Sequence, residues 1–194
     1  MAAIVILGYL IGSIPFALLL ARRWGTADLR RIGSGNLGAA NVMRASGITA
    51  GVLVAILDLA KGAASVALAE RFSGSPSAPA LAGLAAIVGH IYPVWLRFRG
   101  GKGVATACGV FAVLTPAVVP PALAIFLGTV WLTKYISLGS MLATIALPPI
   151  VYGVGSPAPA VVAAFAASAI IVFRHRSNVA RLRTGTERRL GARA

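Results

Sequence analysis

The sequence predicts an all-α, polytopic membrane protein of seven transmembrane helices, with its N-terminus outside and its C-terminus in the cytoplasm. Three observations carry that prediction. Of 194 residues, 58% are hydrophobic and only 11% charged, and the mean hydropathy is +0.88, more apolar surface than a soluble fold of this size hides. The charges fall in clusters between long apolar runs, and a spanning helix needs roughly 20 such residues. With seven spans, sixteen of the 18 Lys and Arg lie on one side, Arg71 alone on the other, and Lys61 within the bilayer. That is the asymmetry expected of cytoplasmic loops. Six spans would move Lys134 and the seven-arginine tail across the membrane, against the same rule. Residues 1–194 are then one integral-membrane domain.

The elements follow in order. Ile4 to Ala21 is the first span; Gly8, Gly12, Ser13 and Pro15 interrupt it, as membrane helices tolerate. A basic loop, Arg22 to Gly47, leads to the second span, Ile48 to Ala69, which holds Asp58 and Lys61. The Ser/Pro-rich turn Ser73 to Pro79 precedes the third span, Ala80 to Leu96, and a tight loop, Arg97 to Gly103, follows. Val104 to Thr133, with Pro116, Pro120 and Pro121 in its middle, reads either as a hairpin of two short helices or as one kinked helix, and the charge partition selects the hairpin. Leu138 to Val154 and Ala158 to Phe173 complete the set. Trp24, Trp95, Trp131 and Tyr135 fall at cytoplasmic ends of spans, where aromatic side chains anchor at the interface.

The net charge of +14 would suggest nucleic acid on a soluble protein. Here the orientation rule explains much of it, an anionic substrate fits the remainder, and no nucleic-acid partner is expected. Cys108 is the lone cysteine, which excludes a disulfide framework or thiolate cluster. The first apolar run is too long for a cleavable signal and lacks a basic region before it.

Four polar segments share the cytoplasmic side: Gly33 to Arg44, Arg99 to Gly103, Ser137 to Ser140, and Arg174 to Asn178. In the first, Gly33, Gly35 and Gly38 match a dinucleotide fingerprint by chance, since no strand precedes them and no acidic residue follows at the required distance. Asn36 is expected to cap a short helix ending at Ser46, whose amides attract phosphate. Asn41 and Arg44, three apart, would share a face. In the second, Lys102 sits among Gly100, Gly101 and Gly103. This is no nucleotide-binding P-loop, but exposed amides beside a mobile ammonium suit an oxyanion. Asp58 and Lys61, at i and i+3, neutralise each other in the bilayer, and His90 is a polar residue in mid-span. In the tail, His175, Asn178, Val179 and Leu182 follow helical spacing on one face, with arginines on the rest. Glu187, the tail's one acid, is read as a clamp on a basic neighbour.

Taken together, these motifs resemble the bacterial acyl-phosphate:glycerol-3-phosphate acyltransferase family of the PlsY type. The likeness covers nearly the whole chain. It runs through Gly33-Ser34-Gly35-Asn36-Leu37-Gly38 to Arg44, through Gly89-His90-Ile91-Tyr92-Pro93 to Thr106, and through Phe173 to Glu187. Arg99 stands where lysine is commoner. The resemblance implies acyl transfer from acyl phosphate to the 1-hydroxyl of glycerol 3-phosphate, giving lysophosphatidate and phosphate, in the bacterial inner membrane. It implies essential roles for Ser34, Arg44, His175 and Asn178. The glycines around Lys102 become the glycerol 3-phosphate loop. Gly35, Asn36, Asn41, Gly100, Gly101, Lys102, Gly103, Ser137 and Ser140 are the expected substrate contacts. Beyond the two substrates and membrane lipid, no cofactor, metal or obligate protein partner is expected. The proton acceptor is His175 or a substrate phosphate, and Ser34 is a hydrogen-bond donor or a nucleophile.

Other classes fit less well. Neither His90 nor His175 has an aspartate five positions on, as the H-x4-D acyltransferases require, and Asp28 and Asp58 are too few for a metal-dependent phosphotransferase. An intramembrane serine protease would place its nucleophile within a span, whereas Ser34 lies in a basic loop. A transporter for organic phosphates is the main alternative, but it needs polar groups leading to both faces, and the outer loops offer little beyond Glu70 and Arg71.

Overall fold

The structure, a computed structural model, describes residues 1–23 and 28–191, so the interfacial reading of Trp24 lies outside the described residues. The helices are α1 Ala2–Gly12, α2 Phe16–Arg23, α3 Ala39–Ser46, α4 Ile48–Phe72, α5 Ala78–Ile91, α6 Val104–Leu114, α7 Val119–Thr133, α8 Ile136–Gly153, α9 Ala158–Arg174 and α10 Arg176–Arg183. No strand occurs among the described residues.

Five segments are long and apolar enough to cross a membrane: Ala2–Arg23, Ile48–Phe72, Ala78–Leu96, Pro116–Thr133 and Ile136–Gly153. The pair α9 and α10, bent by 52°, makes a sixth if counted as one span. The remaining apolar helix, α6, is 11 residues, about 16 Å long, little more than half a hydrocarbon core. The prolines do split residues 104–133 as expected, with the break at Thr115 and a 3₁₀ turn over Pro116–Val118.

Contacts at the helix ends fix the directions of travel. At one end, Ser137 of α8 meets the tail at Glu187, Leu190 donates its amide to the Lys134 carbonyl after α7, and Lys102 before α6 meets Asn178 of α10. At the other end, Ser156 after α8 donates to Thr115 after α6, at 3.2 Å. Helices α6, α7 and α8 therefore run alternately between the two ends. We call the first the site end.

Glycines set the tightest packing. A Cβ on Gly12 would lie 2.1 Å from the Ala86 carbonyl oxygen, and one on Gly109 would lie 1.9 Å from that of Leu59. Only hydrogen at these positions lets α1 meet α5, and α6 meet α4, backbone to backbone, the usual device where lipid supplies no hydrophobic drive. The first span is broken rather than merely interrupted. Pro15 has no amide hydrogen, so the ladder stops at Ser13 and restarts at Phe16.

Two apolar clusters support the site. One joins Val66, Ile87, Ile91, Val110, Phe111, Val151 and Ile171 across α4, α5, α6, α8 and α9. The other seats Leu29 and Leu37 of the first loop against Ala17, Val42 and Val54. With Leu29 wholly buried, residues 28–38 pack against α2, α3 and α4. Trp95 and Trp131 are exposed, and Trp95 Nε1 donates to Ser13 Oγ at 3.1 Å.

Candidate active site

The first loop folds around one amide. Asn41, buried in α3, accepts the Ser34 backbone N–H at 3.0 Å and the Ser34 hydroxyl at 3.3 Å. Its Nδ2 donates to the carbonyls of Leu29 at 3.0 Å and Ile32 at 3.1 Å. Asn41 thus spends its side chain on holding Ser34 in place. Gly33 has φ +59°, and a Cβ there would lie 2.4 Å from Asn41 Oδ1, so the turn needs glycine on two counts. The expected cap is corrected: Gly38, extended at φ −125°, occupies the N-cap of α3, and no side chain caps it. Asn36 and Gly35 lie in the loop before it.

The second loop also departs from expectation. The Gly100 and Gly101 amides are not free for an anion, because they donate to the carbonyls of Ile91 at 3.0 Å and His90 at 3.1 Å. These bonds pin the loop to the end of α5, and Gly103, with φ +88°, starts α6. Lys102 is not mobile either. Its ammonium donates to Asn178 Oδ1.

The tail closes the arrangement. Helix α10 turns buried His175 and Asn178 inward, with half-buried Val179 and Leu182 beside them, as the spacing predicts. His175 Nδ1 lies 2.8 Å from the Ile171 carbonyl oxygen. A carbonyl only accepts, so Nδ1 carries the proton and Nε2 keeps its lone pair. Glu187 clamps α8 to α10 through three side chains: Oε1 accepts from Ser137 at 2.8 Å and from Asn178 Nδ2 at 2.7 Å, and Oε2 pairs with Arg181 at 2.7 Å. Ser137 is therefore part of this clamp. Ser140 is buried one turn further along α8.

Cations dominate the site. Burial and then Arg188 hold the half-buried Arg44 guanidinium below its ordinary value, with Arg181 adding and Glu187 opposing. Burial, together with Arg181, Arg44 and Arg174, lowers Lys102 to about 8 against the pull of Glu187. Burial and Lys102 push His175 down to about 4, so it is neutral at pH 7. Glu187 is raised by burial, but hydrogen bonds from Ser137, Asn178 and Arg181 outweigh this and keep it ionised. One carboxylate thus faces Arg44, Lys102, Arg174, Arg181 and Arg188, a field that favours multivalent anions.

Sequence reasoning passed over three of these arginines as exposed surface. Arg174 donates to the Gly101 carbonyl at 3.5 Å and lies 5.4 Å from the Tyr92 ring centre, while its buried Nε has no partner. The Arg188 guanidinium reaches the Gly33 turn. Spacing gave no signal for them, since Arg174 ends α9 and Arg181 lies in α10 beyond the 52° bend.

This is a helical membrane protein whose polar groups converge on one strongly cationic site. Comparison with known proteins narrows the class. The glycerol-3-phosphate acyltransferase family model matches residues 2–185. A glycerol-3-phosphate acyltransferase of Roseobacter denitrificans is 46% identical over 96% of this chain and 92% of its own length. One from Geobacter sulfurreducens is 46% identical over 95% and 94%. Among solved structures, the glycerol 3-phosphate form of PlsY (YgiH), an integral membrane glycerol 3-phosphate acyltransferase, superposes with a TM-score of 0.93. It shares 42% identity and covers 98% of this chain and 95% of its own. The lysophosphatidic acid form gives 0.90 at 40% identity over the same shares. The chain belongs to the glycerol-3-phosphate acyltransferase family.

Proposed function

We propose that this glycerol-3-phosphate acyltransferase takes its acyl group from an acyl phosphate and delivers it to the 1-hydroxyl of glycerol 3-phosphate. The products are lysophosphatidate and inorganic phosphate. The observation that carries the reading is the set of five cations from three chain segments around one carboxylate and a neutral His175. Two phosphorylated substrates balance such a field.

In this reading Lys102 holds glycerol 3-phosphate, and the Gly100–Gly103 loop, its Gly100 and Gly101 amides bonded to the end of α5, fixes where Lys102 stands. Arg44 and the first-loop groups Ser34, Gly35 and Asn36 hold the acyl phosphate head, with Ser140 deeper in the site. The acceptor oxygen attacks the acyl carbonyl carbon, the C–O bond to phosphate breaks, and phosphate leaves with its electron pair. Arg44 and Lys102 offset the charge that develops. Acyl phosphate is already activated, so orientation supplies much of the acceleration. A histidine held at about 4 is a weak base at pH 7. His175 Nε2 therefore orients the hydroxyl by accepting its hydrogen bond, Asn178 fixes Lys102 and the tail, and the proton passes to a substrate phosphate oxygen, whose second ionisation lies near 6. Ser34 serves as a hydrogen-bond donor once its hydroxyl turns from Asn41 Oδ1, 3.3 Å away, to the substrate.

We also propose seven spans, with α6 and α9 as short ones, the N-terminus outside and the site facing the cytoplasm of the inner membrane. The positive-inside partition supports this. In spheroplasts of a Cys108→Ala background, an impermeant maleimide should label a cysteine at Ser75 and not one at Arg183; labelling at Arg183 would refute the orientation. For the reaction, purified full-length protein given acyl phosphate should release phosphate and form lysophosphatidate in equal amounts, only when glycerol 3-phosphate is present. Uptake of glycerol 3-phosphate into vesicles without acylation would favour a carrier instead.

A further inference from the structure

The site does not use three buried polar residues inside the bundle. Asp58 and Lys61 of α4 pair at 2.8 Å, each with its side chain 3% exposed. His90 Nδ1 of α5 approaches the same Asp58 oxygen at 3.5 Å. Lys61 also donates to the Ile14 carbonyl at 2.9 Å, at the Pro15 break of the first span. Neutralisation alone would need only the i, i+3 pair. This network instead ties together the first span, α4 and α5, and it ends under the glycine loop. A Cβ on Gly101 would lie 2.1 Å from His90 Nε2, and one on Gly100 would lie 2.2 Å from the His90 carbonyl oxygen. The Gly101 amide donates to that carbonyl. A cavity of about 10 Å³, with room for about one water, is lined by Asp58, Lys61 and His90 together with Gly100, Gly101 and the Pro15 break. The loop therefore rests on the His90 residue, and Lys102 is the next residue along.

We propose that Asp58, Lys61 and His90 are positioning residues, a charged strut within the membrane that sets the height of the glycine loop and so the placement of Lys102 toward glycerol 3-phosphate. The pair orients His90 from below, and Lys61 anchors the strut to the broken helix. An unpaired charge would be costly at this depth, so the three groups act as a unit. The proposal rests on the assignment of this loop to the acceptor.

Asp58→Ala combined with Lys61→Met removes both charges and leaves no orphan ion. In purified full-length protein, the melting temperature should stay near that of the parent. The Michaelis constant for glycerol 3-phosphate should rise about tenfold, and kcat should fall by much less. A folded variant with unchanged kinetics would overturn the strut. If instead the constant for acyl phosphate alone rises, the strut stands and the loop's assignment to the acceptor fails. Should the double variant not fold, a second cycle decides. Gly101→Ala forces a methyl into the imidazole, and His90→Ala removes the ring it meets. The combined variant should lose less than the product of the two single losses. Independent, multiplicative losses would overturn the contact on which the proposal depends.

Discussion

Two polar regions of this protein lie close together and are built on opposite principles. Inside the bundle, Asp58 and Lys61 are matched in charge, His90 sits against the same carboxylate oxygen, and each has its partner within 3.5 Å. At the site end, Arg44, Lys102, Arg174, Arg181 and Arg188 face Glu187 alone. A buried network that balances itself needs nothing further and serves position. One left cationic by several charges is incomplete without an anion, at the cost of mutual repulsion in the free enzyme. The lowered Lys102 records that repulsion together with its burial. Charge balance separates scaffold from binding site more sharply here than burial does, since Lys102 and Lys61 are both largely enclosed.

The contrast predicts opposite responses to neutral substitution. Lys102→Met should have the largest effect, lowering kcat/KM about 10³-fold through lost stabilisation of phosphate charge, while the melting temperature holds or rises as repulsion is relieved. A loss of only a few fold would remove Lys102 from the chemistry. Lys61→Met should do the reverse. It leaves Asp58 without its ammonium and should destabilise the fold by about 3 kcal/mol, read by thermal unfolding in detergent; an unchanged transition would mean that the pair is not integral. Glu187→Gln should come next, with a roughly tenfold to hundredfold loss of activity. It weakens the clamp on Ser137, Asn178 and Arg181, and a variant as active as the parent would deny the clamp its purpose.

The smallest effect is a pH limb. A lysine held at about 8 is charged below that value and loses its charge as pH rises through it. The profile of kcat/KM reports the free enzyme, so it should fall about tenfold per unit above pH 8. Lys102→Arg, which stays protonated, should lose that limb even if its rate is lower. A limb that persists in the arginine variant would belong to another group.

Much of this was legible in the chain. The prolines at 116, 120 and 121 announced the break after α6, and the spacing of His175, Asn178, Val179 and Leu182 announced the face that α10 buries. Other features were not legible, for physical reasons. Asn36 has the chemistry of a cap, but the turn at Gly33 and Gly35 delays the helix, so that Gly38 begins it. Glycine content suggested open amides around Lys102. Which carbonyls those amides would find depends on α5 ending at His90 and Ile91, a tertiary fact. The tail arginines looked like solvated charge because pattern alone cannot tell that the chain after α10 folds back to Lys134 and carries Arg188 to the first loop. Nor can spacing show that His90 and Asp58, on different helices, share one oxygen's neighbourhood.

The central claim is that segments from opposite ends of the chain form one anion-stabilising site, and a double-mutant cycle between Arg44 and His175 tests it most directly. Arg44→Ala, His175→Ala and the combined variant would be compared by kcat/KM for acyl transfer in folded, full-length protein. Each single change should remove most activity. If both residues act on one transition state, the combined variant should lose far less than the product of the single losses. Losses that simply multiply would place the first loop and the tail in separate roles and contradict the account.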